Sequence, residues 1–269
     1  MNRTSIFCVM LAGMLASSLA QAANVGTFGS VNPSTLPAPH TGTSLNLTDI
    51  EAGALAGYDV FWIGHAQGSG WSQAACDQVE VFVTSGGGIV TEWNGVTMLF
   101  DNLDPGTYLP MPLPQCGWFT GTVANGSFLG SNTPINVLNP ASPLMAGLSN
   151  PFSMGGGSQY FYTTDIDNAQ WTVDADFTGF GGTWPAVMWS DVLGGIVVVG
   201  VMDYQDVLPS DATASTLLGN MIDFAATGAV DRPTQAGITV TKTFSDGLIA
   251  DVEVSISCND GFVNADSAI

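Results

Sequence analysis

Residues 55–64 read Leu55-Ala-Gly-Tyr-Asp-Val-Phe-Trp-Ile-Gly64, a turn running into an unbroken apolar stretch of the kind buried on both faces of a parallel sheet. Eight residues later Ser72 is placed to cap a helix reaching about Ser85. Ala75, Val79, Phe82 and Val83 share one stripe of it, and Asp77 and Glu80 lie in its early turns, where a helix dipole favours negative charge. Gly86-Gly87-Gly88 stops that helix, and Ile89-Val90-Thr91 opens the next apolar run. Strand, helix, glycine turn and strand within some thirty residues make a βαβ unit, which implies an α/β fold with parallel strands.

Working outward, Trp184-Pro-Ala-Val-Met-Trp189 predicts a further strand. A turn at Leu193-Gly194-Gly195 follows, and Ile196–Val201 is the most apolar strand of the chain. A helix over Ala212–Ala226 carries Leu217, Leu218, Met221, Ile222 and Phe224 and stops at Gly228. Between these blocks, Met98–Gly157 is rich in Pro, Gly and Asn and reads as long loops with short strands. Residues 23–44 read as a Pro-, Ser- and Thr-rich segment preceding the α/β domain of residues 45–230. Beyond Asp231-Arg232-Pro233, Ile238, Val240 and Phe244 alternate with threonines, and Val252, Val254, Ile256 and Cys258 alternate with Glu253, Ser255 and Ser257. Residues 231–269 are therefore expected to form two half-buried strands of an incomplete β-sandwich-like module.

Charge narrows the function classes. The 269 residues hold three Lys+Arg against twenty-three Asp+Glu, a net charge of −20. No basic side chain stands between Ala23 and Asp231, a span with eighteen acids. Phosphate clamping by Arg or Lys and nucleic-acid binding both need cationic side chains, and anionic membranes repel such a surface. The opening has Arg3, an apolar run over Ile6–Leu19 and Ala20-Gln21-Ala22, the layout of a secretory signal (residues 1–22) cut after Ala22. That run is shorter than the roughly 20 residues a membrane span needs. The chain is thus expected to be secreted or held at the cell surface. Loss of the signal removes Cys8 and leaves Cys76, Cys116 and Cys258. Cys76 and Cys116 lie in one half of the chain and are expected to pair, with buried free thiols as the other reading.

The runs quoted above, with Pro143-Leu-Met-Ala-Gly-Leu148 and Gly194-Gly-Ile-Val-Val-Val-Gly200, resemble a class I glutamine amidotransferase-like domain, and within it the ThuA-like branch, over roughly residues 45–228. The resemblance implies a flavodoxin-like three-layer fold, with an elbow after the strand that follows the glycine turn. In amidotransferases that elbow holds a cysteine nucleophile, backed by a His and a Glu after a late strand. This elbow reads Thr91-Glu92-Trp93-Asn94-Gly95, and Val201-Met202-Asp203-Tyr204 follows the late strand. Without a thiol there is no thiolate attack, so the resemblance implies a domain silent as an amidotransferase. Residues 24–47 also depart from the family, being too short and Pro-rich for its usual first strand and helix. The stretches Gly237–Gly247 and Asp251–Asn259 resemble the start of prealbumin-like repeats of bacterial surface proteins.

His40 and His65 are the chain's two histidines, so a histidine mechanism must use one of them. His65 follows one strand, Glu92 ends the next and Asp203 follows the late one, all at the carboxyl edge where open α/β sheets bind ligands. Together they could do acid-base work or hold a divalent cation, and each alone could be no more than a turn or cap residue. Asp165, Asp167, Asp174 and Asp176 offer oxygens at alternating positions for calcium, but Gln170 stands where an EF-hand needs glycine, and a solvated loop is the plainer reading. Seven tryptophans could build a sugar-stacking surface, although most are expected in the core. Two functions remain. One is a catalytically silent binding or architectural module, with carbohydrate or another surface protein as partner. The other is a secreted hydrolase using His65 with Glu92 or Asp203 on a neutral substrate.

Overall fold

The computed structural model describes residues 22–64, 71–104, 116–129, 132–155, 158–230, 256–257 and 263–264. The chain parts into two compact units, Met1–Pro233 and Thr234–Ile269. The first is built on an eight-stranded sheet. Its parallel half runs β2 (Thr41–Ser44), β1 (Asn24–Phe28), β3 (Val60–Ile63), β4 (Gly88–Thr91) and β11 (Val197–Gly200). An antiparallel half continues with β10 (Gly182–Ser190), β9 (Thr172–Gly179) and β7 (Ile135–Val137). A second sheet joins β5 (Phe100–Leu103), β6 (Phe119–Leu129) and β8 (Ser158–Thr164). The fold is α/β and flavodoxin-like.

The βαβ unit forms where the sequence puts it. Every residue of β3 and β4 is buried, and Val60–Ile63 pairs in parallel with Gly88–Thr91. Helix α2 (Gln73–Thr84) starts at Ser72, whose hydroxyl accepts from the Ala75 amide at 3.1 Å, and it buries Ala75, Cys76, Val79, Phe82 and Val83. Helix α3 (Ala212–Val230) lies against β3, β4 and β11. It comes so close that a Cβ at Gly88 would strike the Ala225 backbone, which requires glycine there. The short α1 (Leu47–Glu51) opens with a reciprocal capping box between Asn46 and Asp49 and packs on α2.

Two expectations are corrected. Residues 23–44 do not precede the domain: β1 sits inside its sheet, between β2 and β3, and four of its five residues are buried. Its Val25 and Phe28 are core residues, and the polar β2 covers its outer edge, so the prolines between them occupy only the connection. The stretch 172–179 is a strand, not part of a solvated or calcium-binding loop. Val173, Ala175 and Phe177 alternate with Asp174 and Asp176, and that period of two prevails over the acidity. In the second unit, Ile256–Ser257 pairs antiparallel with Val263–Asn264. The strand expected over 238–244, most of the one over 252–258, Cys258 and the signal segment up to Gln21 lie outside the described residues.

Cys76 on α2 and Cys116 ahead of β6 are disulfide-bonded, with Cα atoms 5.4 Å apart across forty residues of sequence. The bond ties the segment leading into β6 to the βαβ unit. Constraining that loop in the unfolded chain contributes about 4 kcal/mol. Trp62, Trp71, Trp93 and Trp171 are buried, while Trp118, Trp184 and Trp189 are partly buried against the core.

Candidate functional site

Strand β4 ends in a sharp strand-turn-helix elbow. Glu92 continues the extended backbone and its amide donates to the Ile63 carbonyl at 2.9 Å, one more rung toward β3. Trp93 then turns with φ of 45°, a left-handed conformation unusual for a residue with a side chain, and its amide donates to the Met202 carbonyl at 3.1 Å. A 3-10 turn over Trp93–Met98 follows, all of it buried. A Cβ at Gly95 would overlap the Ile63 carbonyl, so only glycine lets the turn fold back this closely. The geometry is that of an elbow that presents one side chain at its apex. The apex here is an indole, buried to 7% exposure.

Glu92 and Asp203 come together. They extend from adjacent parallel strands, β4 and β11, and Asp203 is 5% exposed. Glu92 is fully enclosed. Its Oε2 accepts from the Tyr204 amide at 3.1 Å, and its Oε1 has no hydrogen-bond partner among the described residues. A Cβ at Gly64 would overlap the Glu92 side chain, so the carboxyl lies on the bare backbone just past β3. Burial, and then the charge of Asp203, push the Glu92 carboxyl well above the ordinary glutamate range; backbone amides at Tyr204 and Gln205 oppose them, and Asp206 adds to the rise. Asp203 accepts from the Asp206 amide at 3.2 Å. The third member of the expected group, His65, lies outside the described residues. The convergence on one sheet edge was legible from the sequence; the enclosure was not. Burial and Asp203 favour the protonated form of Glu92, which lies inside the protein and not on the wall of an open crevice.

The four candidate calcium ligands are not gathered. Among the described residues, no group of three His, Cys, Asp or Glu could hold a metal ion. Asp165 accepts from the Thr164 hydroxyl, and Asp167 caps its own turn by accepting from the Ala169 amide at 2.9 Å. The buried Asp174 accepts from Asn139 Nδ2 at 3.0 Å and from Ser142 Oγ at 2.5 Å, and Asp176 accepts from Asn136 Nδ2 at 2.9 Å. Those bonds tie β9 to β7 and the loop after it, a structural use of carboxylates in a domain without Lys or Arg. A feature that sequence reasoning missed is an open, polar cavity of about 360 Å³ on the second sheet, lined by Asp101, Asn102, Thr120, Gly121, Thr122 and Asp165. The registers of β5 and of β8 against β6 bring its walls together, and residue spacing carries no signal of those registers.

No family model matches this chain, and no curated protein does. Solved structures do. A ThuA-like protein from Bacteroides uniformis superposes with a TM-score of 0.53 at 15% identity, over 74% of this chain and 88% of that one. A ThuA-like protein from Parabacteroides merdae gives 0.50 at 12% identity, over 77% and 91%. The carbohydrate deacetylase Agd3 gives 0.53 at 11% identity, over 77% of this chain and 33% of that chain. At such identities the likeness is one of fold, and the fold of this chain is similar to that of the ThuA-like proteins.

Proposed function

We propose that the α/β domain is a catalytically silent binding or architectural module of an exported or cell-surface protein. One observation carries the reading: the apex of the elbow is the buried indole of Trp93, next to a glutamate with no exposed surface. An indole carbon framework supplies no nucleophile, and both domain cysteines are consumed in a disulfide. Export is supported by the Arg3, Ile6–Leu19 and Ala20-Gln21-Ala22 pattern and by the disulfide itself, which persists in oxidising compartments. The likeness of residues 237–259 to prealbumin-like surface repeats supports a place at the cell surface.

A neutral glycan or another surface protein is the partner class that suits the chain, because an anionic ligand would meet eighteen acids and no Lys or Arg between Ala23 and Asp231. The cavity beside Asp101, Asn102, Thr122 and Asp165 offers amide, hydroxyl and carboxylate groups suited to sugar hydroxyls. Affinity electrophoresis through gels holding neutral or anionic polysaccharide tests this. Retardation by a neutral polysaccharide, reduced in Asp165→Ala, supports glycan binding; retardation by anionic polysaccharide alone refutes it.

A second reading, a hydrolase on a neutral substrate, has one observation in its favour. Burial and the neighbouring Asp203 favour the protonated form of Glu92, the form in which a carboxyl can serve as an acid. The full enclosure of Glu92 weighs against it, since a general acid must reach the reacting atom within hydrogen-bond distance.

A further inference from the structure

His40 is buried, and it is aimed at the first residues of the sheet. Its Nδ1 lies 3.2 Å from the Ala23 backbone nitrogen and accepts a hydrogen bond from it. Its Nε2 lies 3.5 Å from Asp223 Oδ1 on α3. Because the Ala23 nitrogen donates, Nδ1 must be bare and the ring proton sits on Nε2, facing the carboxylate. Burial holds the His40 pKa below its ordinary value, with Asp223 opposing, which agrees with a neutral ring accepting a bond. A second carboxylate stands one residue along, where Asp59 Oδ2 accepts from the Asn24 amide at 2.8 Å.

The boundary between burial and exposure falls on the same peptide bond. Ala22 is exposed, whereas Ala23 is 3% exposed and its carbonyl accepts from the Thr41 amide at 3.1 Å, the first rung between β1 and the β2 side. A cut one residue later would remove both the His40 contact and that rung. A cut one residue earlier would leave a residue hanging in solvent.

We propose that hydrolysis of the Ala22–Ala23 bond creates an α-ammonium that the fold captures where the amide already sits, on His40 Nδ1 with Asp223 behind it and Asp59 beside it. This rests on the export reading above. Water adds across the C–N bond with a signal peptidase as catalyst, leaving a carboxylate on the departing Ala22 and an amine on Ala23, which takes up a proton. One proton of that ammonium replaces the amide proton toward Nδ1. The others face the volume that Ala22 vacates, which is open to water. The new charge is the sole cation of the otherwise cation-free span from Ala23 to Asp231. Processing therefore anchors β1, an interior strand of the sheet, with a charge that the uncut chain lacks.

The mature chain offers a clean assay, because its only amines are the Ala23 α-amine and Lys242. Material exported from full-length chain is sequenced from its amino terminus. It is then acylated at about pH 8, folded and in urea, and the two sites are quantified by peptide mass mapping. The expected first residue is Ala23; any other overturns the proposal and removes the processing part of the export reading. The α-amine is expected to react about fourfold more slowly in the folded than in the unfolded chain, as a rise of one unit from an ordinary α-amine pKa of about 7.8 gives at pH 8, with Lys242 as internal reference. Equal rates would overturn the capture site while leaving processing intact. His40→Asn, which keeps an acceptor near Nδ1, should preserve the protection and His40→Leu should abolish it. Protection unchanged in His40→Leu would overturn the role of His40.

Discussion

Replacing Glu92 by Gln separates a buried acid from a charged pocket wall. An ordinary glutamate titrates near 4.5, whereas burial and Asp203 drive the Glu92 carboxyl well above that value in the folded chain. The folded state then holds the proton more tightly than the unfolded state. The contribution of Glu92 to stability is complete below pH 4.5 and declines as pH rises toward the folded pKa. Each unit of that interval costs 1.36 kcal/mol. Stability is compared at about pH 5 and about pH 7.5; wherever the folded carboxyl keeps a proton that the unfolded one has lost, it falls by about 1.4 kcal/mol per pH unit. Glu92→Gln has no proton to lose. Its amide nitrogen would stand where Oε1 lies against Gly64, at a desolvation cost of about 1–3 kcal/mol, but that cost is the same at both pH values. The difference in unfolding free energy between variant and wild type, measured in urea with the disulfide intact, should move in favour of the variant as pH rises, by no more than about 1.4 kcal/mol per pH unit. Titrating groups that do not interact with Glu92 cancel in that difference. A difference independent of pH would refute the reasoning, since it would mean that Glu92 is ionised in the folded protein.

Further expectations follow from the same geometry. Converting Cys76 and Cys116 to Ala should lower stability by about 2–4 kcal/mol in urea unfolding, and an unchanged midpoint would deny the bond a stabilising role. Trp93→Gly relieves a left-handed backbone worth about 1 kcal/mol but removes a buried indole worth about 3–5 kcal/mol, so thermal melting should show a net loss. Asp174→Ala should cost about 3 kcal/mol, because it strips Asn139 and Ser142 of a buried acceptor. Millimolar calcium should leave the melting temperature unchanged; a rise lost in Asp165→Ala would restore those carboxylates as ligands.

The parts of the fold that could be read from the sequence are those where one local signal has no competitor. Val60–Ile63 is wholly apolar, Ser72 is a strong cap, and three consecutive glycines end α2. The parts that could not be read depend on partners distant in sequence. Thr41-Gly-Thr-Ser44 holds no apolar residue and becomes a strand because β1 offers it an edge. Asp174 and Asp176 look like ligands until Asn139, Ser142 and Asn136 arrive from the neighbouring strand and loop. At the site, strand ends announced Glu92 and Asp203, because carboxyl edges follow from strand order. Whether a carboxyl is exposed depends instead on what covers it, and Gly64 and the turn through Tyr204 do so from far along the chain.

Ammonia release from glutamine, together with hydrolysis of ester and glycoside substrates, measured on the exported mature chain, tests the central claim most directly. Wild type, Glu92→Gln and Asp203→Asn are compared, with Trp93 unchanged. A silent elbow predicts that all three stay at the rate of buffer for every substrate. Turnover by wild type that falls in Glu92→Gln or Asp203→Asn would contradict it.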